Sequence, residues 1–184
     1  KRLWLYTQQG TVDAKRILSV IRYCHEALFA SGEKVRIRHF VIDSLMKCGI
    51  GVDDYNKQKS FIDRLCALAK DTGIHIHLVA HARKGQSERD LVDKFDIKGA
   101  SEITDQVDNV FTVWRNKGKE DAIQSGESGH DEKPDALLVC SKQRHGEWEG
   151  KVALWFDAPS MQYVAMQGAR PIEFFYYNRE EYAA

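Results

Sequence analysis

Two short apolar runs, each closing on a polar side chain and joined by one amphipathic stretch, set the tightest limit on how this chain folds. The first run is Phe40-Val41-Ile42, closing on Asp43; the second runs from Ile74 to Ala80 and closes on His81. Between them, Phe61, Ile62, Leu65, Cys66 and Leu68 share one face of a helix that reaches about Asp71, and Thr72-Gly73 ends it. Strand, crossover helix and strand make the unit of a parallel sheet. The pattern therefore predicts neighbouring strands with Asp43 and His81 at their carboxyl ends. Open α/β sheets bind their ligands there.

The rest of the chain fits around that unit. Leu3 to Tyr6 reads as a short buried strand. Asp13 opens a helix carrying Ile17, Leu18, Val20, Ile21, Cys24 and Leu28 at helical spacing, stopped by Ser31-Gly32. The strand ending at Asp43 begins near Arg36, and a polar loop runs from Lys47 to about Asn56. A short helix is predicted over Ala100–Val107 and a strand over Asn109–Trp114. Lys117 to Pro134 lacks any period and reads as a mobile surface loop. Strands over Ala136–Ser141 and Val152–Phe156 pair antiparallel through a turn at Lys142–Gly150, and Met161–Ala165 adds an edge strand. The sum is an α/β fold, a parallel central sheet with an antiparallel hairpin extension. The tail from Gly168 holds an aromatic cluster, Phe174 to Tyr177, suited to docking on a partner or on a neighbouring domain.

Composition excludes several classes. At 184 residues the chain suits one compact domain. Its formal net charge is zero, so any nucleic-acid contact must come from local basic loops. The four cysteines are scattered, without a Cys-x-x-Cys pair, and indicate neither a zinc site nor a disulfide framework; Cys66 and Cys140 read as core residues. Neither a membrane-spanning run nor a signal peptide is visible. The chain opens at Lys1, almost directly on an apolar segment, and is read as a fragment.

Four groups carry possible chemistry. Asp43 can hold the Mg²⁺ of a nucleotide, or it can simply cap a turn. His81 can sense a phosphate, or be a turn residue. Arg83, Lys84, Arg89, Lys94 and Lys98 follow it, with acids interleaved; such a loop can grip phosphates or merely be solvated. Lys142 and Arg144 lie two residues apart after a strand and project to the same side. That pair suits a transferring phosphoryl group, or a charged hairpin turn. Gly146 to Val152 mimics a phosphate loop, but its spacing is one short and Val152 stands where Ser or Thr belongs. No Gly-x-x-x-x-Gly-Lys-Ser/Thr exists in the chain.

In this order the segments resemble the hexameric replicative DNA helicases of the DnaB, Twinkle and phage primase–helicase type. Phe40-Val-Ile-Asp-Ser-Leu resembles their Walker B strand, and Ile76-His-Leu-Val-Ala-His-Ala-Arg-Lys the next motif strand, especially in its Twinkle form. Asp96 to Val110 resembles the block after the central DNA-binding loop. Leu138-Val-Cys-Ser-Lys-Gln-Arg-His-Gly, with Gly150-Lys-Val-Ala-Leu-Trp-Phe, resembles the arginine-finger hairpin. Arg2 to Tyr6 fits the strand before the Walker B helix. The likeness spans residues 1–166, expected to be the C-terminal part of a RecA-like motor domain, with 167–184 as a tail.

The resemblance implies ATP and Mg²⁺ as cofactors. Asp43 would help hold Mg²⁺, and His81 would sense the γ-phosphate. Arg83, Lys84 and Lys94 would contact single-stranded DNA in a central channel. Arg144 would be the arginine finger and Lys142 its companion, both entering a neighbouring subunit's ATP site. A homo-oligomeric ring, hexameric in the family, follows, with a primase domain or replisome proteins as further partners. The location would be the cytoplasm of a bacterial or phage-infected cell, ahead of a mitochondrion. Asp105 appears where many relatives carry Gln, and the insert from Lys117 to Pro134 is longer than the family pattern. The Walker A loop and the catalytic glutamate would precede residue 1, so the chain as given is expected neither to bind ATP tightly nor to hydrolyse it. An exposed sheet edge would make it aggregation-prone or self-pairing. A RecA-like recombinase that does not unwind DNA and a non-catalytic nucleic-acid-binding domain are the alternatives.

Overall fold

A computed structural model describes residues 3–30, 37–51, 53–81, 101–130 and 132–173. The chain forms two compact units. The first holds the described residues up to Val110 together with Lys142–Glu147; the second holds Phe111–Ser141 and the described residues from Trp148 onward.

The first unit is the predicted strand–helix–strand with an added helix before it. Helix α1 (Ala14–Ala30) starts where the Asp13 carboxylate accepts from Lys15 N at 2.8 Å, satisfying an amide without a helical partner. Strand β1 (His39–Asp43) is followed by a 3₁₀ turn at Leu45–Lys47, and the Asp43–Ser44 peptide is cis. Helix α2 (Tyr55–Thr72) is capped by Asp54, whose side chain accepts from Lys57 N. It ends at Gly73, whose φ of 69° is a left-handed geometry that glycine adopts without a Cβ clash. Strand β2 (His75–Val79) then returns parallel to β1 in the register His39–His75 through Asp43–Val79. The pairing predicted from the sequence is present.

Helices α1 and α2 pack against each other, on one face of this sheet. The core comprises Ile17, Leu18 and Ile21 of α1, Ile42 of β1, and Phe61, Ile62, Leu65 and Leu68 of α2, with Leu45, Cys48 and Ile74 closing it. Period-two alternation sends His39, Val41, Asp43, His75, His77 and Val79 to the opposite face, and all six are exposed. Helix α3 (Ser101–Gln106) packs on α2 and contributes the buried Ile103.

The second unit holds most of a sheet in the order β3-β4-β5-β6: β3 (Asn109–Arg115), β4 (Ala136–Gln143), β5 (Gly150–Asp157) and β6 (Gln162–Val164). Strands β4–β5 and β5–β6 are antiparallel, as the hairpin pattern predicted.

Three expectations are corrected. Leu3 to Tyr6 forms no strand: it pairs with neither β1 nor β2, and Leu3 and Leu5 are 74% and 77% exposed. A strand exists only through ladder bonds, and without a partner the apolar run stays irregular and exposed. The parallel and antiparallel strands form two sheets, not one with an extension.

The third correction concerns Lys117–Pro134, which contains helix α4 (Lys117–Gln124) in place of an irregular loop. Contacts distant in sequence hold it. Asn116 accepts from Lys119 N at 3.0 Å and donates to Pro134 O at 2.9 Å. The buried Lys119 ammonium lies 2.7 Å from the Asp135 carboxylate and donates to Lys133 O. The helix is therefore stapled at the far end of its own insert, which hydrophobic period cannot reveal. Ser31-Gly32 and the aromatic cluster Phe174–Tyr177 lie outside the described residues.

Candidate functional site

At the carboxyl edge of the parallel sheet, register places Asp43 beside Val79, two residues before His81. Both strands run toward this edge, so Asp43 and His81 lie at one end of the first unit, and both are exposed. A solvated carboxylate is a hard oxygen donor of the kind Mg²⁺ takes alongside its own waters and a phosphate. Among the described residues, no group of three metal-ligating side chains surrounds it. One carboxylate fits a cation held mainly by nucleotide and water. The basic residues Arg83, Lys84 and Lys94 lie outside the described residues, as do Arg89 and Lys98.

Lys142 and Arg144 project to the same side, as their spacing predicts, and both reach the C-terminus of α3. Lys142 Nζ donates to the carbonyl oxygens of Thr104 at 2.7 Å and Asp105 at 2.9 Å. Arg144 Nη2 donates to Asp105 O at 2.9 Å, and its Nη1 to the Asp108 carboxylate at 3.1 Å. The Arg144 amide donates to Asp108 O at 2.8 Å, and His145 approaches the same carboxylate at 3.7 Å.

The physical reason is plain. The last carbonyls of a helix lack donors and carry its negative pole. A six-residue helix such as α3 is too short to stand on propensity. Two cations from the hairpin supply both the donors and the charge. From α2, Cys66 Sγ donates to Gln106 O at 3.8 Å; burial, then the Asp108 charge, push that thiol upward in pKa.

The sequence reading named Lys142 and Arg144 but not Asp105 and Asp108 as their partners. It also passed over a group of three imidazoles. His39, His75 and His77 stand together on the exposed sheet face, with His39 Nδ1 3.0 Å from His77 Nε2. Burial first, and then the neighbouring His75 and His39, hold the His77 imidazole below its ordinary pKa. The available signal was His75-x-His77 on a strand whose partner strand opens with His39. Cys48, also passed over, is fully buried with its thiol pushed up to about 11 by that burial.

No family model and no curated protein sequence matches the chain. Among solved structures it is similar to a DnaB-like replicative helicase, described with its interactions with primase. The TM-score is 0.61 at 16% sequence identity, over 86% of this chain and 36% of that one. The chain shares a DnaB-like fold. The likeness covers both described units but only about a third of the helicase chain, so it speaks for architecture and leaves activity to be argued from the residues. No helix among the described residues is long and apolar enough to cross a membrane.

Proposed function

We propose that this chain is the C-terminal part of a RecA-like motor domain from a ring-forming replicative DNA helicase. The observation that carries this reading is the pairing of β1 with β2, which sets Asp43 and His81 at the carboxyl ends of adjacent parallel strands. That edge is where such sheets take nucleotides. The DnaB-like fold supports the same reading.

In this reading Asp43 helps hold Mg²⁺ at ATP, and the cation neutralises charge on the phosphates. His81 offers a ring nitrogen to the γ-phosphate. Arg144 and Lys142 serve the ATP site of an adjacent copy, so a hexameric ring is the working form. Arg83, Lys84 and Lys94 come after His81 in the sequence, and a phosphate sensor ahead of DNA-contacting cations couples hydrolysis to movement along single-stranded DNA. Primase or other replisome proteins are the further partners, in a bacterial or phage-infected cytoplasm.

The test is ATP hydrolysis by the protein that carries this chain, with and without single-stranded DNA. Arg144→Ala is expected to cut the DNA-stimulated rate by about 10³-fold or more. Because Arg144 also holds α3, Asp108→Asn is the control: it removes the ion pair but keeps the guanidinium. Activity indifferent to DNA and to Arg144 overturns the helicase reading. Equal loss in both variants reduces Arg144 to a structural cation.

A further inference from the structure

We propose that His39, His75 and His77 form a binding site for a late first-row divalent cation, Zn²⁺ or its chemical neighbours, on the open face of the β1–β2 sheet.

The backbone sets the arrangement. His75 and His77 are two apart on one strand and so project from the same face. His39 is the register partner of His75 on the neighbouring strand, about 4.8 Å away. Two imidazoles at i and i+2 plus a third from the adjacent strand can face a single ion. The side chains already lie close: ring centroids are 4.4 Å apart for His75 and His77, 5.3 Å for His39 and His77, and 5.6 Å for His39 and His75.

The shortest approach is 3.0 Å, between His39 Nδ1 and His77 Nε2. Two nitrogens bound tetrahedrally to one Zn²⁺ at 2.0–2.1 Å stand about 3.3 Å apart. A cation therefore replaces the proton shared by these rings after they part by about 0.3 Å. As the side chains stand, no three ligand atoms among the described residues converge on one point. His75 completes the set by turning its ring, and exposed side chains change rotamer on the fast timescale.

The donor set selects the ion. Imidazole nitrogen suits Zn²⁺, Cu²⁺ and Ni²⁺, whereas Mg²⁺ takes oxygen. His39 stands at the opposite end of β1 from Asp43, so this site is separate from the nucleotide edge and does not depend on the helicase reading. A bound ion clips two parallel strands whose outer-face residues are exposed and stabilises the fold by mass action. The fourth coordination position remains open to water.

The experiment is calorimetric titration of ZnCl₂ into this chain after EDTA treatment and desalting, with MgCl₂ in parallel. The result expected is one Zn²⁺ per chain, a rise in Tm, and no Mg²⁺ binding there. His39→Ala, His75→Ala and His77→Ala are each expected to weaken Zn²⁺ about tenfold or more, while His130→Ala, outside the cluster, leaves it unchanged. Co²⁺ bound to the unsubstituted chain should give the visible absorption of tetrahedral nitrogen ligation, a readout that survives any variant failing to fold. Absence of Zn²⁺ binding overturns the proposal. So does binding that ignores all three substitutions, or a Co²⁺ spectrum of thiolate ligation, which would place the metal at cysteine.

Discussion

Lys142 Nζ donates a 2.7 Å hydrogen bond to the carbonyl oxygen of Thr104, thirty-eight positions earlier in the chain. The contact ties the C-terminal end of β4 to the last turn of α3. Removing the ammonium with Lys142→Met takes this donor from the Thr104 carbonyl and leaves Asp105 O with Arg144. We expect a local loss of about 1–2 kcal/mol, seen as roughly tenfold faster amide exchange within α3. Unchanged exchange would show that α3 does not depend on this cation.

The Cys48 thiol has a pH signature. Its pKa rises from 9.0 to about 11 on burial, so the folded chain favours the neutral form. The sign follows from linkage: the contribution is complete below pH 9 and is lost as pH rises from 9 through 11. Stability measured at pH 8 and pH 10.5 should therefore fall more in the unsubstituted chain than in Cys48→Ala. At pH 8 a thiol reagent should leave Cys48 untouched until the chain unfolds, and rapid labelling in the folded state would contradict its burial.

In the second unit, Asp135→Ala strands the Lys119 ammonium, whose side chain is only 7% exposed. Breaking one partner of a buried pair costs several kcal/mol. Asp135 is itself partly solvated, which reduces the expected loss to about 2–3 kcal/mol. Denaturant unfolding checks it, and α4 should lose amide protection first. A neutral result would mean that the Asn116 contacts and the Lys119–Lys133 hydrogen bond suffice to hold the helix.

Ile21→Ala and Ile62→Ala probe the core between α1 and α2, where these side chains are 0% and 1% exposed. Alanine is the better helix former, so the loss reads the cavity and transfer terms less roughly a few tenths of a kcal/mol of helix propensity. Each is expected to cost about 2–5 kcal/mol in chemical denaturation. A loss below 1 kcal/mol would mean the core closes over the gap.

The sequence by itself determined the strand–helix–strand unit. Its signals are local: the apolar runs Phe40–Ile42 and Ile74–Ala80, period 3.6 in Tyr55–Thr72, and Gly73 at the helix end. Side-chain periodicity reports which face is buried without reference to any distant residue. For the same reason Asp43 and His81 were readable as neighbours, since a crossover helix leaves parallel strands few other arrangements. The tertiary structure decided the rest. Leu3 to Tyr6 has strand composition but no ladder partner, and composition does not supply one. Helix α4 looks like a loop because its stability comes from Pro134, Lys133 and Asp135 rather than from an apolar stripe. Lys142 and Arg144 were legible as a cationic pair, but their partners Thr104, Asp105 and Asp108 are more than thirty residues away. The three histidines came together only when register set β1 against β2. Contacts of that range depend on where folded elements dock, which no local period encodes.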